Sequence, residues 1–205
     1  MKLTIKHQET NSRGQLLLRF FFGFIYIAIP HFFLLYFVMI GVAFCTFIAW
    51  WAILFTGKYP AGMHNFVRGT MEWYVRVMAR LLNLCDGYPK FGINAKDDCV
   101  SFELPCPEKL SRGTLLLKLF FGQLYVLLPH MFILYFLGIG VAFVNFIAWW
   151  AILFTGKYPA GMHKFVVGYI RWIIRVMIYF PFYMTDQYPP FSGKPYEELN
   201  PTAAA

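Results

Sequence analysis

The 18 residues FIAWWAILFTGKYPAGMH stand at positions 47–64 and return unchanged at 146–163. A block of this kind recurring at an offset of 99 residues marks two tandem copies of one structural unit. The same offset aligns Ser12, Arg13 and Gly14 with Ser111, Arg112 and Gly113, Pro30-His31 with Pro129-His130, and Trp73 with Trp172. The copies divide near Lys96 to Asp98, giving a first repeat over 1–95 and a second, with a C-terminal tail, over 96–205.

Working outward, the block closes a long apolar run in each copy. Pro30 to Phe55 and Pro129 to Phe154 each exceed the roughly 20 apolar residues that cross a bilayer. The whole chain is 59% hydrophobic and 21% aromatic with only 14% charged residues, which leaves too little polar surface for a water-soluble fold. We therefore expect an all-α integral membrane protein. The first run is too long for a signal peptide and ends in two tryptophans, so the mature chain is expected to start near Met1.

Before each span lies a shorter apolar segment, Gly14 to Ile29 in the first copy, interrupted by Arg19 (Lys118 in the second) and ended by Pro30. As a helix it covers only about 24 Å against a core of about 30 Å, so it is expected to be a separate interfacial or re-entrant helix that Pro30 terminates. After the span, Trp50, Trp51, Trp149 and Trp150, with Lys58 and Lys157 in the following turns, are expected to anchor the chain at the membrane interface. Gly62 to Leu84 then predicts a third helix, amphipathic or transmembrane, with Arg68, Glu72, Arg76 and Arg80 forming one stripe at intervals of four. Alternating stretches at 3–5 and 101–104 predict short extramembrane strands that meet.

The net charge is +8, and the basic residues lie outside the apolar runs, as for contact with anionic headgroups rather than nucleic acid. If the third helices cross, both copies point the same way, and the termini and linker share a side rich in lysine and arginine. Four crossings with cytoplasmic termini satisfy the positive-inside bias better than two, at the cost of placing Arg76 and Arg175 at membrane depth.

The stretch Ala-Trp-Trp-Ala-Ile-Leu-Phe-Thr-Gly-Lys-Tyr-Pro at 49–60 and 148–159 resembles a bacterial membrane family known only as domain of unknown function 4389. The likeness extends to the Pro-His pairs, to Trp73 and Arg76 with Trp172 and Arg175, and to the closing Asp86-Gly-Tyr-Pro and Asp186-Gln-Tyr-Pro. It departs at Tyr88-Pro89-Lys90-Phe91, where the family ending reads Tyr-Pro-Pro-Phe. The resemblance implies a tandem helical module in the bacterial inner (cytoplasmic) membrane and carries no activity.

Arg76 and Arg175, with Arg68, Glu72, Arg171, Lys58 and Lys157, are the candidates for holding a lipid headgroup or a partner's carboxylate. Glu72 can neutralise the first stripe locally, whereas Arg171 replaces it in the second copy, which is then expected to need an external anion. His31, His64, His130 and His163 form matched pairs that could ligate haem iron, but their places at helix starts favour a capping or hydrated role, so no cofactor is expected.

Of the four cysteines, Cys45 is read as facing lipid or a helix, no zinc spacing appears, and Cys99 and Cys106 either bridge or stay reduced. Residues 56–62 lack the phosphate-loop spacing. Gly23, Gly41 and Gly69, with Gly122, Gly140 and Gly168, predict close helix contacts. No nucleophile–base set or paired intramembrane carboxylate appears, so the chain is expected to be no enzyme. The expected function is that of an accessory or scaffolding subunit contacting lipid and another membrane protein or itself. The alternatives are a small oligomeric transporter with an arginine-lined anion path, and a redox subunit carried by the histidines.

Overall fold

The computed structural model describes residues 1–199; the remainder of the expected C-terminal tail lies outside the described residues. The elements are β1 (Lys2–Ile5), α1 (Arg13–Thr56), α2 (Ala61–Leu81), β2 (Val100–Glu103), α3 (Arg112–Thr155), α4 (Ala160–Tyr179) and a short α5 (Tyr196–Leu199). The fold is mostly helical, and α1 and α3, each 44 residues, are long and apolar enough to cross a membrane.

The expected break at Pro30 does not occur. The first segment and the span form one helix, about 66 Å long, with a π-helical turn at Phe24–Ala28 leading into Pro30. Proline has no N–H for the carbonyl four residues earlier, which is that of Tyr26. The Tyr88 hydroxyl donates to that carbonyl at 2.9 Å, so the helix continues with its orphaned acceptor satisfied. The second copy repeats the device: a π turn at Gln123–Leu127, then Pro129, with the Tyr188 hydroxyl donating to the Tyr125 carbonyl at 2.9 Å.

Ser12 and Ser111 cap the starts of α1 and α3, each hydroxyl accepting from a backbone N–H three residues on. Gly57 and Gly156 end the two helices in the left-handed conformation, with φ of 72° and 71°. The chain then doubles back, so α2 packs along α1 and α4 along α3.

The two strands meet as expected, paired antiparallel with Leu3 opposite Phe102. These two residues are equivalents, 99 positions apart, so a pseudo-twofold axis passes between them. That axis sets the copies head to tail along their length. Leu110 N–H bonds the Gly57 carbonyl at 2.7 Å, which puts the start of α3 at the end of α1. Asn11 N–H bonds the Gly156 carbonyl at 2.7 Å, which puts the start of α1 at the end of α3. Arg13 donates to the Phe154 carbonyl and Arg112 to the Phe55 carbonyl across the same seams. Basic side chains thus meet the negative helix ends. The sequence expectation of copies pointing the same way along their spans is corrected: α1 and α3 run antiparallel.

Three layers result. α1 and α3 form one, α2 and α4 the middle, and the strands with the linkers the third, since β2 packs on α2 and β1 on α4. Val67, Met71, Val75 and Ala79 of α2 join Val166, Ile170, Ile174 and Ile178 of α4 in the main core, closed from above by Leu3, Ile5, Val100 and Phe102. The outer side of α1 and α3 is left bare; Phe24 is 74% exposed and Phe55 69%.

Candidate functional site

The segment after α2 turns back along the first half of α1 and acts as a strap, fastened residue by residue. Asp86 accepts from the Ser12 N–H at 2.6 Å and from Arg19 at 2.9 Å, and Arg19 also donates to the Cys85 carbonyl. Arg19 is buried, its charge matched within the copy, so an arginine in an apolar run needs no outside partner. Phe91 stacks on the His31 ring, centroids 3.9 Å apart and 5° from parallel. The Trp73 indole N–H donates to His31 Nδ1 at 2.9 Å.

Copy two builds the same strap. Asp186 accepts from the Ser111 N–H and pairs with Lys118, Phe191 stacks on His130, and Trp172 donates to His130 Nδ1 at 2.9 Å. His31 and His130 are thus held as acceptors between an indole and a phenyl ring. His64 and His163 are buried at the starts of α2 and α4, and among the described residues no group of three His, Cys, Asp or Glu is set to hold a metal ion.

The two leading site candidates serve the strap. Arg76 donates to the carbonyls of Gly92 and Ala95, and Arg175 to those of Ser192 at 2.9 Å and Lys194 at 2.7 Å. Arg68 pairs with Glu72 at 3.0 Å, as the sequence predicts, and also donates to the Phe102 carbonyl. Arg171 donates to the Leu3 and Gly193 carbonyls, so where an external anion was expected the guanidinium has carbonyl partners within the chain, one of them from the first copy. Leu3 and Phe102 are the axial pair, and the diverged arginines, Arg68 and Arg171, reach equivalent carbonyls from positions one turn apart.

Lys58 and Lys157 are exposed in the turns at opposite ends of the molecule. Trp51 and Trp150 are about two-fifths exposed on the bare layer, whereas Trp50 and Trp149 are half-buried beside the seams. The disulfide joins Cys85 to Cys99, leaving Cys106 and the half-buried Cys45 free, so the expected candidate bridge between Cys99 and Cys106 is corrected. Its place follows from Asp97, which accepts from the Cys99 and Val100 N–H groups and from Arg80 at 2.8 Å, drawing the linker onto the end of α2. Burial alone would raise the Asp97 carboxyl, but those two N–H groups and Arg80 hold it below its ordinary range.

Sequence reading missed His7 and Asn11. His7 Nε2 lies 2.7 Å from the Tyr158 carbonyl, and Asn11 Oδ1 accepts from the Tyr158 N–H, tying the first copy's N-terminal arm to the second copy's turn. Neither has a local pattern that announces it.

An apolar layer of two long helices under a layer of strapped, internally hydrogen-bonded helices, doubled about a pseudo-twofold axis, defines a tandem helical module. The chain belongs to the family described as a domain of unknown function, DUF4389, whose model matches residues 13–92 and 117–193. No curated protein and no solved structure matches it.

Proposed function

We propose that this chain is a non-catalytic integral protein of the bacterial inner membrane, an accessory or scaffolding subunit that contacts lipid and packs against another membrane protein or a second copy of itself. The observation that carries the reading is the contrast between layers. Arg19, Arg76, Arg80, Lys118, Arg171 and Arg175 are buried and answered by carbonyls or carboxylates of the same chain, while the long helices expose aromatic side chains along their whole length. Large exposed apolar surface of this kind is interaction surface, and a bilayer or a membrane partner covers it without cost.

An anion path lined by Arg76 and Arg175 has less support, because both guanidinium groups are already engaged by strap carbonyls. Copurification from native membranes in mild detergent, with mass identification of every associated chain, tests the scaffold. A partner at fixed stoichiometry, or a stable homo-oligomer, is the expected result; a monomer with nothing associated would overturn it. The N-terminal strand and the linker lie in one layer, read from its charge as cytoplasmic. A persistent disulfide belongs to an oxidising compartment, so alkylation of Cys85 and Cys99 in freshly lysed cells reads the side directly.

A further inference from the structure

We infer that the molecule does not cross the bilayer but lies flat in one leaflet, with α1 and α3 parallel to the membrane plane among the acyl chains and the pseudo-twofold axis along the membrane normal. This deepens the membrane reading above and rests on it.

Length is the first argument. Exposed large apolar side chains run along α1 from Leu17 to Phe55. That is about 57 Å of helix against a hydrocarbon core of about 30 Å, and fitting one into the other needs a tilt of about 58°, beyond the 0–40° range of spanning helices. A helix lying in the plane has no such mismatch.

The linker supplies the second argument. It starts at Cys99, bridged to Cys85 just past the end of α2, and reaches Leu110, bonded to Gly57 before the start of α2. It therefore travels the length of the molecule, carrying β2 and exposed Glu103, Glu108 and Lys109. If α1 crossed the membrane, this two-stranded sheet with its open edges would sit at membrane depth, where hydrocarbon leaves unpaired backbone groups without partners. Laid flat, the sheet is in water and the bare helices are in lipid.

Symmetry is the third. A crossing placement turns the axis into the membrane plane and inverts the copies, placing Lys58 and Arg112 on one side and Lys157 and Arg13 on the other. A flat placement gives both copies, with their near-identical apolar surfaces, one relation to the leaflet. Lys58 with Arg112 at one end, and Lys157 with Arg13 at the other, then reach up to the phosphates of the same leaflet.

The test uses the full chain with its two free cysteines removed, Cys45→Ala and Cys106→Ser. Single variants Lys58→Cys, Asn94→Cys and Lys157→Cys are labelled in whole cells and in lysed cells with a membrane-impermeant maleimide. All three sites on one side is the expected result. Lys58 and Lys157 on opposite sides, or Asn94 opposite to Lys58, overturns the flat placement while leaving the membrane reading intact. Spin labels at Leu17, Phe33 and Phe55, in phosphatidylcholine–phosphatidylglycerol vesicles, are expected at similar depth within one leaflet. A Phe33 label at the midplane, with Leu17 and Phe55 near opposite surfaces, also overturns it. Release of the chain from native membranes by alkaline carbonate overturns both readings.

Discussion

The Tyr88 hydroxyl donates to the Tyr26 carbonyl at 2.9 Å, and that carbonyl is the one Pro30 cannot serve. A tyrosine 62 residues along the chain thus repairs the helix that the proline interrupts. Tyr88→Phe leaves the carbonyl without a partner and is expected to cost about 1 kcal/mol, read as a shift in the unfolding midpoint in detergent. The diagnostic is a double-mutant cycle. Pro30→Ala restores the missing N–H, so Tyr88→Phe on that background is expected to cost far less; equal cost on both backgrounds would refute the pairing.

Asp97 gives a pH-dependent prediction confined to the first copy, because position 179, the counterpart of Arg80, is tyrosine. The Arg80 and Asp97 side chains are 6% and 1% exposed. Asp97→Asn leaves a buried guanidinium without its counter-ion, at an expected cost of about 3–5 kcal/mol. The carboxyl is held below its ordinary value of 3.8, so the folded state binds this proton less readily than the unfolded state does. Its contribution is therefore present above that value and is lost as pH falls through the folded value. Unfolding followed from neutral pH downward is expected to show an acid limb that Asp97→Asn flattens.

How much of this was legible in sequence depends on how far each partner lies along the chain. The repeat, the strands, the central helices and the Arg68–Glu72 pair are short-range or self-similar patterns, and periodicity finds them. Pro30 reads as a stop because its remedy, Tyr88, lies beyond any local window. Arg76 reads as a ligand-seeking charge for a like reason: the Gly92 and Ala95 carbonyls that take it belong to a backbone with no side-chain signature. The head-to-tail setting of the copies rests on Asn11 and Leu110 bonding Gly156 and Gly57, contacts of main chain that composition cannot encode.

The Cys85–Cys99 bridge closes the strap into a loop, with the two cysteines 14 positions apart. By the chain-entropy account a loop of this size contributes about 3 kcal/mol, so Cys85→Ser and Cys99→Ser are each expected to lose about that much, and the double variant little more. Denatured, unreduced protein is expected to take up two alkyl groups, on Cys45 and Cys106, and four after reduction. Four before reduction would show the pair unbridged.

Gly69 and Gly168 are equivalent positions at which the strap touches the central helix, yet their surroundings differ. A Cβ on Gly69 would stand 2.5 Å from the Ile93 carbonyl oxygen and 3.0 Å from its Cβ, whereas one on Gly168 would meet nothing nearer than the Gly193 carbonyl at 3.4 Å. Backbone cannot rotate aside as a flexible side chain can, so Gly69→Ala must push the strap off α2. That displaces the Gly92 and Ala95 carbonyls from Arg76. The expected cost is about 1–3 kcal/mol for Gly69→Ala, as for overpacking, and below about 1 kcal/mol for Gly168→Ala. Limited proteolysis provides a local readout: in Gly69→Ala, cleavage within residues 88–96 is expected to quicken while the equivalent stretch of the second copy stays protected. Equal protection of the two straps would mean that the first is not held by this contact.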